Sequence, residues 1–137
     1  METGEDYSHL SAIILDRNYY DYLNAHFTVV DGIRYASADS LICLKALAYV
    51  NLTQEKRSGK RVNDDDIKKH RRDVLMAVSS LPVGEQYQVG ESIRKTLDDF
   101  LLGIEEASVK QSLKASLGIN EEQLNELLIV LKDGFIL

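Results

Sequence analysis

The stretch "FTVVDGIRYASADSLICLKALAYV", residues 27–50, contains the change from extended to helical chain on which the fold turns. Residues 27–31 and 33–36 are rich in β-branched and aromatic side chains, and Asp31-Gly32 stands between them. A two-residue hairpin turn needs positive φ at both central positions, which Asp and Gly tolerate, so this segment reads as a β-hairpin. After Ala36 the pattern is helical, and Ser37 stands where it can cap a helix running from Ala38 to Arg57.

Upstream of the hairpin, "SHLSAIIL" (8–15) ends in a continuous apolar run suited to a strand buried on both faces, and "NYYDYLNAH" (18–26) reads as a short helix capped by Asn18. Downstream, "SGKRV" (58–62) is a loop in which Gly59 stops the long helix. Asn63 caps the next helix, which reaches about Leu81, just before the single proline, Pro82. Its first turn holds Asp64, Asp65 and Asp66, where the helix dipole favours negative charge. "QYQV" (86–89) reads as extended. Residues 91–105 place Ile93, Leu97, Phe100, Leu101 and Ile104 on one stripe, and Ser108–Leu117 is a further helix. Asn120 with Gln123 resembles a capping box that opens a last helix carrying Leu124, Leu127, Leu128 and Leu131.

The expected fold class is therefore α+β, a single domain over residues 1–137. Residues 8–36 would form a small sheet of about three strands (9–15, 27–31 and 33–36) with a short helix, packed on five to six helices from residues 37–137. Helices on one side of such a sheet would leave its other side apolar. Either the helices wrap both faces, or a second copy or a further piece of protein covers it.

Composition narrows the class. Hydrophobic residues make up 45% and charged residues 28%, enough for a packed core and ordinary for a globular protein. A net charge of −6 argues against a general nucleic-acid coat. The lone Cys43 cannot form an internal disulfide, "METGEDYSHL" is too acidic and polar for a signal peptide, and "LICLKALAYV" is too short to span a bilayer. A cytoplasmic protein without a membrane segment is the expectation.

The cations are nonetheless concentrated. Eight of the sixteen Lys and Arg residues lie between Lys56 and Arg72, and "DIKKHRRDV" (66–74) brings four of them together around His70. His70 and Arg71 continue the apolar stripe that Ile67 begins, while Asp66 and Asp73 flank Lys69 and His70 at ion-pair spacing. Two readings stand: Lys69, His70 and Arg71 at the rim of a cleft that takes an anion, or a charge-laced helix serving solubility around a half-buried histidine. Lys45 sits on a largely apolar helix face, so its ammonium must be paired or must snorkel to water; Asp66 or Asp73 would be its natural partner. As a nucleic-acid surface the basic block lacks interleaved aromatic residues and is partly neutralised by its own acids. The triple acid has no calcium-loop spacing, His9, His26 and His70 are too scattered for zinc, and Cys43 reads as a buried, inert thiol.

In order and spacing, "SHLSAIILDRNYYDYL", "DGIRYASADSLICLKALAYVNL", "DDDIKKHRRDVLMAV" and "GESIRKTLDDFL" resemble the C-terminal half of bacterial nucleotidyltransferase-like proteins of the abortive-infection toxin type, the AbiEii/AbiGii group. The resemblance spans about residues 8–102 and is most specific at "LICLKALAY" and "DIKKHRRDV". It implies that the helical part helps to hold a nucleotide or an RNA acceptor. Carried over position by position, the binding candidates are Lys45, Lys69, His70 and Asp73, with the cations near a triphosphate and Asp73 orienting one of them.

The chain departs from the family where catalysis would reside. It has no Gly-Ser turn ahead of an Asp-x-Asp on a strand, the arrangement that holds magnesium for in-line transfer. No catalytic residue is therefore assigned, and no metal site or cofactor is expected in this chain; magnesium (Mg) and a nucleoside triphosphate (NTP) are implied only for a complete family member. The expectation is the rear half of such a protein, with the turn and acids upstream of Met1. Its partners would be a nucleotide or RNA acceptor, an antitoxin or the missing N-terminal half, or a second copy in a homodimer. The competing reading is a non-catalytic interaction or dimerisation module.

Overall fold

The computed structural model describes residues 16–137, so the expected strand at 9–15 lies outside the described residues. Within them the fold is α+β. Helix α1 (Arg17–Ala25) leads into a hairpin of β1 (Phe27–Val30) and β2 (Ile33–Ala36), followed by α2 (Ala38–Arg57) and α3 (Asp64–Ser79). Then come β3 (Tyr87–Gln88), α4 (Glu91–Gly103), α5 (Ala107–Leu117), α6 (Glu121–Asp133) and β4 (Phe135–Ile136).

The hairpin forms as its turn chemistry dictates. Asp31 and Gly32 both adopt positive φ, 51° and 77°, and the strands pair antiparallel from Phe27↔Ala36 to Val30↔Ile33. Every side chain of both strands is exposed, including Val29 and Ile33 at 56% each. Part of Phe27 is covered by the Arg34 guanidinium, 3.7 Å above its ring centre.

Two caps differ from the sequence reading. Helix α1 is capped by Asp16, not Asn18: one Asp16 carboxylate oxygen accepts from the Asn18 and Tyr19 amides at 2.9 and 3.3 Å. That oxygen also accepts the Ser92 hydroxyl at 2.9 Å, tying α1 to α4, and a carboxylate at a helix start gains from the dipole as well. The Asn18 side chain instead lies against Gly90, where a Cβ would come within 1.3 Å of its Oδ1. Ser37 occupies the N-cap of α2 but makes no side-chain cap. Its hydroxyl lies 3.0 Å from the His26 carbonyl and 2.6 Å from the Asp39 carboxylate. Asp39, buried, also accepts the Tyr22 hydroxyl at 2.6 Å, so the polar groups of this junction satisfy one another rather than the helix end. Burial and the adjacent Asp39 push the Tyr22 phenol far above its ordinary pKa. Asn63 and the Asn120–Gln123 capping box act as expected.

The centre of the molecule is the packing of α2 against α3. Ile42, Ala46, Tyr49 and Leu52 are buried on α2, and Ile67, Val74, Leu75 and Val78 on α3, with Ile93, Leu97 and Phe100 of α4 completing the layer. Tyr49 meets Phe100 edge to face, ring centres 5.2 Å apart. Two ion pairs fix the antiparallel register: Lys56 with Asp64 at 2.6 Å beside the loop, and Lys45 with Asp73 at 3.3 Å farther along.

The C-terminal segment closes the structure by a contact the sequence does not advertise. β4 pairs parallel with β3, Tyr87↔Phe135 and Gln88↔Ile136, making a second two-stranded sheet. Arg94 of α4 clamps it, donating from Nη1 to the Leu131 and Phe135 carbonyls at 3.0 and 2.6 Å while Nη2 reaches Asp98 at 2.9 Å. Charge-assisted bonds to buried carbonyls are worth more than an exposed ion pair. Arg94→Ala is expected to lower the stability measured by urea unfolding by about 2 kcal/mol with little change in slope; a loss below about 0.5 kcal/mol would mean that the guanidinium does not clamp the C-terminal strand.

Candidate functional site

Of the four sequence candidates, the structure joins Lys45 and Asp73 directly. The α2–α3 register sets the ammonium 3.3 Å from Asp73 Oδ2, with the side chains 32% and 22% exposed. Lys45 is thus paired and partly hydrated, combining both possibilities its apolar helix face allowed. Asp73 also has Arg72 Nη2 3.7 Å from its other oxygen. His70, one turn earlier on α3, is half-buried beside them. Its Nδ1 is buried and has no hydrogen-bond partner among the described residues. Burial holds the His70 pKa below its ordinary value, and the Lys45 cation lowers it further against the opposing pull of Asp66 and Asp73. Lys69 is exposed on the same flank of the helix.

The other flank of α3 faces a larger opening. Asp64, Ile67, Lys68 and Arg71, spaced at helical turns, form one wall of a cavity of about 910 Å³ between α2, α3 and α4. Tyr49, Val50, Leu102 and Gly103 also line it. None of the four sequence candidates lines it. Arg71 is only 9% exposed and reaches Ser112 Oγ at 3.4 Å, and Tyr49 donates its hydroxyl to the Gly103 carbonyl at 3.1 Å. Burial raises the Tyr49 pKa, with the neighbouring Arg71 and Arg57 pulling against it. The sequence reading grouped Arg71 with Lys69 and His70, but a single helix cannot aim successive residues at one point. The signal that separates them is the spacing of Asp64, Lys68 and Arg71, opposite Tyr49, Thr53 and Lys56 on α2.

The triple acid is divided between tasks. Asp64 is held by Lys56 at 2.6 Å, which keeps its carboxyl below its ordinary pKa, and Asn63 caps the turn through the Asp65 amide. Among the described residues no three His, Cys, Asp or Glu side chains gather as a metal ligand set. These acids open a helix and pair with a lysine, so they do not fit the magnesium site of a complete nucleotidyltransferase. Among the described residues no helix is long and apolar enough to cross a membrane.

No protein-family model, curated protein or solved structure matches this chain.

The depressed His70 pKa carries a sign. An unfolded histidine titrates near 6.5, and the folded one lower, so the neutral form is favoured by folding. Its contribution is complete above pH 6.5 and is lost as pH falls through the lower folded value. The stability difference between the native chain and His70→Gln should therefore shift against the native chain on acidification from pH 7 to about pH 5 in urea unfolding. A pH-independent difference would show that burial of the ring does not couple to its charge.

Proposed function

We propose that this chain is the helical C-terminal module of a nucleotidyltransferase-like protein of the abortive-infection toxin type, cytoplasmic and without the metal-binding catalytic half. Lys45, Lys69, His70 and Asp73 form its retained share of a nucleotide- or RNA-acceptor-binding surface. The observation that carries this reading is the convergence of the two motifs on which the family resemblance rests. "LICLKALAY" and "DIKKHRRDV" lie on different helices, yet their Lys45 and Asp73 stand 3.3 Å apart with His70 alongside.

The division of labour follows from the geometry. Asp73 holds the Lys45 ammonium in place without neutralising its surroundings, because Lys69 and Arg72 add positive charge on the same stretch of helix. Neutral His70 can accept or donate a hydrogen bond near pH 7, where a second ammonium would instead repel Lys45. Magnesium would be brought by the catalytic half together with the triphosphate. These residues would bind and orient, and no bond is made or broken by them.

A second reading draws on the exposed hairpin. Phe27, Val29, Val30, Ile33 and Tyr35 present apolar surface on both strands, as an interaction or dimerisation module docking on an antitoxin or on a second copy would. Sedimentation separates the two forms of this reading: Val29→Lys should dissociate a homodimer, and a native monomer excludes one.

The leading reading is tested by titrating ATP and GTP, with magnesium, into the purified chain. Lys45→Met removes a partly exposed ion pair at a stability cost under about 1 kcal/mol, so a change in binding is not confused with unfolding. Binding weakened about tenfold or more by Lys45→Met and by His70→Ala is expected. Binding that ignores both changes would sink the site assignment.

A further inference from the structure

The cavity between α2, α3 and α4 lies apart from the Lys45 surface. Five cations and three acids line it, but the charges are unevenly spent. Lys56 is occupied by Asp64 at 2.6 Å and Lys95 by Asp99 at 2.7 Å. That leaves Arg57, Lys68 and Arg71 against Glu106 alone, a local positive excess in a chain of net charge −6.

Arg71 is the deciding residue. It is 9% exposed, and among the described residues it forms no ion pair. A guanidinium has five N–H donors, and its polar contacts here are two neutral hydroxyls, Ser112 Oγ at 3.4 Å and Tyr49, neither of which supplies a counter-charge. Burying a cation without a counter-charge costs stability, and apolar side chains of similar size commonly do better in such places. A planar fork of donors at the edge of an open cavity matches two oxygens of a phosphate. Exposed Arg57 and Lys68 stand at the same opening to meet the remaining charge. Beside them Val50, Ile67 and Leu102 supply apolar wall, and a cavity of about 910 Å³ has room for more than a bare phosphate.

The geometry points to this cavity as a second anion site, independent of the nucleotidyltransferase reading. It would take a small phosphate ester with an apolar body, its phosphate on Arg71, Lys68 and Arg57 and its body against Val50, Ile67 and Leu102. Calorimetry on the full chain without magnesium, using ADP and inorganic pyrophosphate as probes, tests it. ADP is expected to bind saturably and more tightly than pyrophosphate. Lys68→Glu and Arg57→Glu are each expected to weaken it about tenfold or more, and Arg17→Glu, an equal charge change on α1, to leave it unaltered. Arg71→Met should abolish binding and raise the melting temperature of the ligand-free protein, whereas a purely structural arginine would give a lower one. The proposal is overturned if ADP does not bind at millimolar concentration, if pyrophosphate binds as tightly as ADP, or if Lys68→Glu and Arg57→Glu leave binding intact. Binding abolished by Lys45→Met but indifferent to Lys68→Glu would also overturn it while leaving the Lys45–His70 nucleotide surface standing.

Discussion

The antiparallel contact between α2 and α3 is the constraint on which the rest of the structure depends. Its apolar seam, from Ile42 to Leu52 on one helix and Ile67 to Val78 on the other, sets which residues of α3 can turn outward and in which direction. The register is held at both ends by a lysine of α2 meeting an aspartate of α3, Lys56 with Asp64 and Lys45 with Asp73. Each of these pairs is partly solvated and adds little stability by itself. Their value lies in orientation, because a slip of one turn would part both pairs at once while also exposing apolar side chains. Helix α4 then packs against α2, and Arg94 carries the C-terminal strand back to it.

This arrangement explains why an acidic protein gathers its cations on one helix. A helix buried along one stripe has two flanks, and α3 uses both. On one, Asp66, Lys69, His70 and Asp73 border Lys45; on the other, Asp64, Lys68 and Arg71 border the cavity shared with α2 and α4. Arg72 beside Asp73 leaves the first flank one positive charge in excess, and Lys68 with Arg71 against Asp64 does the same on the second. Asp73 fixes Lys45, Asp64 fixes Lys56, and Arg71 is left with the hydroxyls of Ser112 and Tyr49 and no acid. The single buried guanidinium between Tyr49 and Ser112 is the costliest of these placements, and so the one most in need of a reason beyond folding.

Local chemistry made much of the fold legible. The Asp31-Gly32 turn, the caps at Asn63 and Asn120, and the helical stripes of α3, α4 and α6 were readable because each is decided by residues a few positions apart. Sequence and structure diverge where a local rule meets a distant partner. Asn18 is a good cap by type, but Asp16 answers both to the α1 amides and to Ser92 across the molecule. Ser37 is correctly placed, yet its hydroxyl is drawn to Asp39 and His26. The extended character of residues 86–89 was visible, whereas its parallel partner at Phe135–Ile136 was not, since two residues of strand carry no periodicity to read. At the candidate site, the pairing of Lys45 with Asp73 could be anticipated from the cost of an unpaired ammonium on an apolar face.

By itself, then, the amino-acid order determined most of the elements: where the helices opened by Asn63 and Asn120 start, where the hairpin turns, which stripe of α3, α4 and α6 is apolar, and that the Lys45 ammonium must find an acid or reach water. These follow from backbone sterics, hydrogen-bond accounting and periodicity, all of which act over a turn or two of chain. Tertiary structure alone decided that the flank of α3 bearing Arg71 faces Tyr49 and a cavity also lined by Leu102 and Arg57, and that the C-terminal strand returns to β3. The physical reason is that a side chain's direction is a property of its own helix, whereas what it meets there depends on how several helices pack, and packing is a cooperative result no short window of sequence contains.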